Sequence, residues 1–203
     1  MVPIDLETMG PACEPFHFYI KPTVVPEITE FCTELTGITQ AQVNAGITID
    51  KCLVALDDWM TQNGFTAENS TFVTCGMWDL KTCLRAEAAF KKLHVQDYLK
   101  KFINIKDIWM HTMFKNKAVG MVGMLSSLNL QLDGKHHSGI DDSKNIAKIA
   151  IELVKAGGIF TQFQEILIKD KDQITLEKRA VKNAKKEEKK TEKKFKNGNP
   201  LNG

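Results

Sequence analysis

The sequence lacks any apolar run that approaches the roughly 20 residues needed to cross a membrane, and it does not open with a basic segment followed by an apolar one. We therefore expect neither a membrane-spanning helix nor a secretory signal, and no membrane partner. Cys-x-x-Cys pairs are also missing, although there are five cysteines: Cys13, Cys32, Cys52, Cys75 and Cys83. This usage disfavours a disulfide framework or a cysteine-based zinc site and indicates an intracellular protein, cytoplasmic or nuclear.

Charge is distributed unevenly along the 203 residues, whose formal net charge is +2. From Lys178 onward there are ten Lys or Arg and three Glu, so this segment carries +7 and the preceding 177 residues carry −5. A hydrophobic fraction of 43% supports a packed core in a domain of ordinary size. We predict one domain over residues 1–168 and a Lys-rich, low-complexity tail over residues 169–203 that cannot bury a core.

Apolar strand-like segments alternate with segments of helical periodicity along the predicted domain. The predicted strands cover residues 16–20 and 71–75, and residues 102–105 fit a strand or a strand-like loop. The predicted helices cover residues 27–35, 50–60, 78–93, 108–114, 121–128 and 141–156. A further helix begins at Thr39, where Thr39 and Gln42 have the capping-box spacing. Residues 159–168 fit either a strand or a helix. This alternation predicts an α/β fold, with a sheet packed against helices.

Two aspartates occupy positions where a carboxylate has a chemical use. Asp79 lies just beyond the C-terminal end of the 71–75 strand, at the edge of an α/β sheet where sites usually form. Asp142 lies in the first turn of a helix and shares a stripe with Ile146 and Ile149. Burial of that charge is costly unless the carboxylate binds a cation or a strong donor. Asp79 alone is also compatible with a simple interaction with a helix dipole.

His137 precedes Asp142 by five positions, in a loop that leads into the last predicted helix. An imidazole on such a loop can act as a base beside a carboxylate that the helix start holds in place. We interpret the neighbours His136 and Asp141 as a solvated histidine and an ordinary helix cap. A solvated loop histidine is also the alternative interpretation of His137, and the presence of Asp79 and Asp142 favours the catalytic one.

These motifs resemble those of a known family. Residues 72–81, which read Phe-Val-Thr-Cys-Gly-Met-Trp-Asp-Leu-Lys, and residues 137–147 resemble the second and third motifs of the DEDDh 3′→5′ exonucleases. Residues 30–39, 102–106 and 123–125 are similar to the Eri-type branch of that family, whose members trim histone-mRNA ends, ribosomal RNA and small RNAs. The similarity covers most of the predicted domain.

The resemblance implies an RNase-H-like fold with a mixed central sheet flanked by helices. It also implies two divalent ions, Mg²⁺ or Mn²⁺, held by four acidic residues. Asp79 and Asp142 match metal-site ligands of the family, and His137 matches the general base that acts on the attacking water. The two ions stabilise the attacking and leaving oxygens, so that 5′-mononucleotides leave the 3′ end of single-stranded or overhanging RNA. The resemblance assigns no residues of this chain to RNA binding.

The family's first motif, Asp-x-Glu on the first central strand, is imitated by Asp5 and Glu7. A central strand needs a continuous apolar run, whereas only four residues precede Asp5 and one of them, Pro3, has no backbone donor. The eight residues between Glu7 and the 16–20 strand are also too few for the family's second strand. We therefore expect residues 2–22 to form the second strand and its hairpin, Asp5 and Glu7 to lie outside the site, and the first strand to be missing.

The sequence favours two functional hypotheses over a third one, in which the domain is purely structural and the motif spacing arises by chance. The first is a 3′→5′ exonuclease that acts on RNA and is impaired by loss of the Asp-x-Glu pair. The second is a catalytically inactive RNA-binding or scaffold relative, in which the Lys-rich tail neutralises phosphates whatever the base sequence. A solvated segment for solubility or localisation is the alternative interpretation of the tail.

Overall fold

A computed structural model of the chain describes residues 1–166. The predicted Lys-rich tail, residues 169–203, lies outside the described residues. Within residues 1–166, no helix is both long and apolar enough to span a bilayer. The α-helices are α1 Glu30–Thr36, α2 Gln40–Ala45, α3 Ile49–Gln62, α4 Arg85–Lys91, α5 Ile105–Thr112, α6 Met121–Ser127 and α7 Gly139–Lys155. The strands are β1 Ile4–Asp5, β2 Gly10–Pro11, β3 Phe72–Thr74, β4 Lys101–Asn104 and β5 Phe163–Glu165.

A three-stranded mixed sheet with the order β3-β4-β5 forms the centre of the domain. β3 runs parallel to β4, and β5 runs antiparallel to β4. The predicted mixed sheet flanked by helices is therefore confirmed, and the ambiguous segment 159–168 contains a strand. β4 is the middle strand, and its residues Phe102 and Ile103 are fully buried. Such a strand reads as an apolar run because both of its faces are covered.

Two hydrophobic clusters lie on opposite faces of this sheet, because successive strand side chains point to opposite sides. Val73 and Ile103 pack against the first cluster, which α5, α6 and α7 complete. Phe72 packs against the second cluster, which contains Phe16 and residues of α3 and α4. Each face of the sheet is thus covered by helices, as the α/β class predicts.

The predicted strand over residues 16–20 is wrong for most of its length. In the described structure, Ile20 is the one residue of this segment that forms a β-bridge, which is parallel and pairs it with Ile47. Phe16 instead packs into the second cluster, and its backbone N–H donates to the carbonyl of Met1 at 3.0 Å. The apolar character of Phe16 thus reflects burial against helices rather than pairing in a sheet. A hairpin does occur within residues 2–22, but it is the short pair of β1 and β2, which forms a separate two-stranded sheet.

Local capping signals explain where the first helices begin. The Thr29 side chain accepts a hydrogen bond from the N–H of Cys32, so α1 begins at Glu30 rather than at the predicted residue 27. The capping box predicted at Thr39 is confirmed, since Thr39 and Gln42 exchange side-chain to backbone hydrogen bonds. The turn between α1 and α2 is therefore short, since Gly37 ends α1 and Thr39 already caps α2.

A fully buried amide on α7 holds the loop of residues 130–138, which leads into that helix. The Asn145 side-chain oxygen accepts from the Asp133 N–H at 2.9 Å, and its amide nitrogen donates to the carbonyls of Asp133 and Asp141 at 2.8 Å each. Lys148, one turn further along α7, donates to the Gln131 carbonyl at 2.8 Å. The loop therefore has a defined path over the first turns of α7, because these bonds satisfy its backbone groups.

Two further contacts fix the middle of the same loop. The Asp141 carboxylate accepts the Lys135 N–H at 3.1 Å, directly beneath Gly134. Gly134 has φ +71°, and a Cβ on it would collide with the Asp141 carboxylate, so only glycine suits this turn. The Lys135 ammonium reaches across to donate to the Glu34 carbonyl near the C-terminal end of α1. A cation there complements the negative end of the helix dipole.

We expect Asn145→Ala to lower the free energy of unfolding by about 1–3 kcal/mol, because the partners of the amide lose their hydrogen bonds in a partly buried position. Denaturant unfolding of the variant beside the unchanged chain measures this. Asn116→Ala, at an exposed loop position, is the matched control and should leave the stability nearly unchanged. Equal stabilities of the Asn145 variant and the unchanged chain would contradict the anchoring role.

Candidate active site

The carboxyl ends of β3 and β4 are joined by one asparagine side chain. The side-chain oxygen of the buried Asn104 accepts a hydrogen bond from the Gly76 N–H at 2.9 Å. It also accepts the Lys106 N–H at 3.3 Å, and this second bond caps α5. Gly76 has φ +113°, a backbone conformation that side-chain-bearing residues rarely adopt. The chain therefore turns sharply after β3 and delivers Trp78 and Asp79 to the edge of the sheet.

Asp79 lies in the first turn of a π-helical segment, Trp78–Leu84, that runs into α4. The prediction of one regular helix over residues 78–93 is corrected by this segment. Its first turn is closed by the N–H groups of Lys81 and Thr82, which both donate to the Met77 carbonyl. π-Helical turns are rare and occur frequently at functional sites. Trp78 and Asp79 are both exposed, so the Asp79 carboxylate is open to a ligand.

The thiol of Cys75 marks the place where the charged groups of the site converge. Burial raises the pKa of this thiol, the nearby Lys106 ammonium opposes the rise, and the carboxylates of Asp79 and Asp142 add to it. Two aspartates that are 63 positions apart in the sequence thus act on one sulfur atom at the end of β3. Lys106 contributes the cation at this edge, and its ammonium lies beside Gly76.

Asp142 is held by the residues that precede α7. Both of its carboxylate oxygens accept from the backbone N–H of His137, at 3.2 and 3.3 Å. The imidazole of His136 is the side chain in contact with this carboxylate, with 3.2 Å between Nδ1 and Oδ1. His137 has φ +73°, its side chain is exposed, and its ring stacks on that of His136 with 3.8 Å between ring centroids. The structure therefore places both histidines at the carboxylate of Asp142.

Asp5 and Glu7 are found in the turn between β1 and β2. The Asp5 carboxylate accepts the N–H groups of Glu7 at 2.7 Å and of Thr8 at 3.2 Å, and these bonds lower the pKa of Asp5. Glu7 is exposed. The carboxylate of Asp5 is thus engaged by its own turn. That these two residues lie outside the active site stays a prediction.

Among the described side chains, the potential ligands that lie together do not complete a site for two divalent ions. In residues 1–166, the group of potential metal ligands that lie together consists of His136, His137 and Asp142. Asp79 is not part of this group, although its charge and that of Asp142 both raise the pKa of Cys75. Two hard divalent ions require several oxygen ligands, whereas the converging pair of Asp79 and Asp142 supplies two carboxylates against four positive charges. The donor set suits one ion better than two.

Several residues of this region were not identified from the sequence. Asn104, Lys106 and Asn145 lie in segments that carry the family resemblance, but none of them was given a role of its own, and His136 was interpreted as a solvated histidine. Asn145 carries a recognisable signal, since it is a polar residue four positions before the buried Ile149 on the same helix face. The contact between His136 and Asp142 had no such signal, because it depends on the loop conformation.

The chain matches known proteins in both sequence and fold. A sequence model of the family described as Exonuclease (RNase T) matches residues 2–150. "ERI1 exoribonuclease 3" of Homo sapiens is 44% identical over 149 residues, which are 72% of this chain and 44% of that protein. "3'-5' exonuclease Snipper" of Drosophila melanogaster is 32% identical over 160 residues, 72% of this chain and 56% of Snipper. The chain therefore spans about half the length of these relatives.

Two solved structures extend the match to the fold. The nuclease domain of 3'hExo, described as a DEDDh family member bound to rAMP, superposes with a TM-score of 0.75 at 29% identity, over 82% of this chain and 83% of that one. A structure described as "3'-end specific recognition of histone mRNA stem-loop by 3'-exonuclease" gives a TM-score of 0.72 at 27% identity, over 82% of this chain and 61% of that one. The RNase-H-like fold implied by the motifs is confirmed.

The family model, the related sequences and the solved folds agree with the resemblance read from residues 72–81 and 137–147. The chain belongs to the exonuclease family, in its DEDDh, Eri-type branch.

Proposed function

We propose that this chain carries the active site of a 3′→5′ exoribonuclease, in which Asp79 and Asp142 are metal ligands and His137 is the general base. The observation that carries the proposal is geometric: Asp79 follows the carboxyl end of β3, at the edge of the sheet, and the Asp142 carboxylate lies 3.2 Å from the backbone nitrogen of His137. His137 is tied by its backbone to the Asp142 carboxylate, which leaves its exposed imidazole free to accept a proton from water.

The proposed cofactor is Mg²⁺ or Mn²⁺, whose preferred ligands are carboxylate oxygens. Because the described residues supply two converging carboxylates rather than four, we expect weak binding of the ion and slow turnover by this chain. The Lys106 ammonium adds positive charge at the same edge, where it can attract an RNA phosphate. The proposed activity of this chain is therefore weak and depends on the divalent ion.

The proposed substrate is single-stranded RNA or a 3′ overhang. Relatives that match this chain are named exoribonucleases, and one structure of similar fold concerns recognition of a histone mRNA stem-loop at its 3′ end. The exposed Trp78 and Asp79 leave the site open at the surface, where a flexible strand can enter. The products are nucleoside 5′-monophosphates, and the setting is intracellular, cytoplasmic or nuclear.

We expect Asp79→Asn, Asp142→Asn and His137→Ala each to reduce the rate of RNA shortening by roughly 10²–10⁴-fold, because each removes a charge or a base that acts in the transition state. The measurement follows 5′-labelled single-stranded RNA with Mg²⁺ or Mn²⁺, together with chromatography of the released mononucleotides. A ladder that shortens from the 3′ end is the expected pattern.

Matched controls are Asp58→Asn on the exposed side of α3 and the exposed His94→Ala, which change the same residue types away from the site. Both should shorten RNA at the rate of the unchanged chain. If the unchanged chain releases no mononucleotide, or if the site variants release it as quickly as the controls, the exonuclease proposal fails.

We expect Asp5→Asn and Glu7→Gln to leave any RNA shortening within about twofold of the unchanged rate, because Asp5 is engaged by its own turn and Glu7 is exposed. The same labelled-RNA assay measures this. A loss as large as that of the Asp142 variant would show instead that these residues act as the Asp-x-Glu motif of the family.

A catalytically inactive RNA-binding or scaffold relative is the second candidate. It is favoured by the incomplete carboxylate set in the described part of the chain and by the +7 charge from Lys178 onward. In this case, RNA would bind without being shortened, and the affinity would come largely from phosphate neutralisation.

We expect deletion of residues 178–203 to weaken RNA binding and to flatten its dependence on salt, by roughly 0.7 in the logarithmic slope for each lost phosphate contact. Fluorescence anisotropy of a labelled single-stranded RNA at several salt concentrations measures both quantities. An unchanged affinity and slope would remove the tail from the RNA interface.

A further inference from the structure

A compact group of three potential metal ligands lies at the start of α7. His136, His137 and Asp142 each offer one ligand atom, and these atoms all lie within 4.8 Å of one another. The closest pair, His136 Nδ1 and Asp142 Oδ1, is 3.2 Å apart. The side chains of His136 and Asp142 keep 39% and 26% of their exposure, and His137 is exposed, so an ion has access from solvent.

The backbone explains why two neighbouring histidines face the same carboxylate. Successive side chains of an extended chain point in opposite directions. The left-handed conformation of His137, with φ +73°, abolishes this alternation, and the two rings stack at 26° to each other. The two hydrogen bonds from the His137 N–H to Asp142 hold that conformation, and Asn145 anchors the loop before it. The backbone conformation and these hydrogen bonds therefore hold the three side chains together.

The donor atoms select a different class of metal from the proposed cofactor. Mg²⁺ takes oxygen ligands and retains its waters, whereas imidazole suits Zn²⁺ and other late divalent transition metals. Two imidazoles and one carboxylate, with a fourth position left to water, form a common zinc ligand set. Metal–nitrogen bonds of about 2.0 Å require the ligand atoms to approach to about 3.3 Å, which exposed rings can do by side-chain rotation.

We propose that His136, His137 and Asp142 form a binding site for a late divalent transition metal of the Zn²⁺ class. The site shares Asp142 with the proposed Mg²⁺ site and is distinguished by its two imidazoles. An ion bound here occupies the proposed base and one of the proposed Mg²⁺ ligands at once, so it inhibits RNA shortening. This inhibitory consequence rests on the proposed function, whereas the binding of the metal does not.

Binding is tested with Co²⁺, whose visible absorption reports tetrahedral coordination, followed by displacement with Zn²⁺. The tag-free full chain should bind one ion in the presence of millimolar Mg²⁺. His136→Gln and His137→Gln should each weaken binding by at least roughly tenfold, since each removes one ligand. His111→Gln, which changes an exposed histidine on α5, is the matched control and should bind like the unchanged chain.

Two results would overturn the metal site. One is binding that both glutamine variants retain at full affinity, and the other is a near-ultraviolet thiolate band, which would assign the ion to the five free cysteines. Circular dichroism of the two variants separates loss of the site from loss of the fold. A variant that unfolds is set aside, and the other one decides.

The inhibitory role has its own readout. RNA shortening with Mg²⁺ should be half-inhibited at the Zn²⁺ concentration that half-displaces Co²⁺, and His136→Gln should require at least roughly tenfold more Zn²⁺. Activity that resists saturating Zn²⁺ would refute inhibition while leaving the binding result intact. A chain that shortens no RNA would refute the proposed function, and the Co²⁺ titration would still decide the metal site.

Discussion

The amide of Asn145 lies fully buried on α7, and the loop that carries His136 and His137 takes its shape from the three hydrogen bonds that this amide makes. A buried amide is stable only when its donor and acceptor are both satisfied, so the loop and the helix constrain each other. Asp141 and Asp142 then act as neighbours with separate tasks. The former binds the turn at Gly134, and the latter faces the histidines.

The other half of the candidate site depends on a second asparagine. Asn104 joins the end of β3 to the start of α5, and the turn at Gly76 sets the position of Asp79. The two halves meet at Cys75, whose thiol lies under the influence of both aspartates. Each half is organised by one side-chain amide that substitutes for missing backbone partners. In the candidate site, charged groups thus account for the proposed chemistry, and neutral amides hold the segments that carry them.

Local patterns made much of the fold predictable. The capping box at Thr39 and the apolar run of β4 follow from interactions within a few residues, and the structure has both. The 16–20 segment was misjudged because Phe16 is buried against helices, a tertiary effect that sequence alternation does not encode. The π-helical turn at Asp79 and the contact of His136 with Asp142 depend on the backbone conformation of single residues. The spacing of apolar residues does not predict such local backbone conformations.

The bond from Lys135 to the Glu34 carbonyl also has a consequence for the order of folding. It joins positions 101 residues apart, so this contact can form only after α1 and α7 have been brought together. Closing so long a chain segment costs entropy before any contact repays it, and contacts of this kind slow folding. During synthesis, α1 leaves the ribosome well before α7. The contact of the loop with α1 can therefore form only after α7 has emerged, whereas the hydrogen bonds of Asn145 can hold the histidine segment as soon as α7 itself has formed.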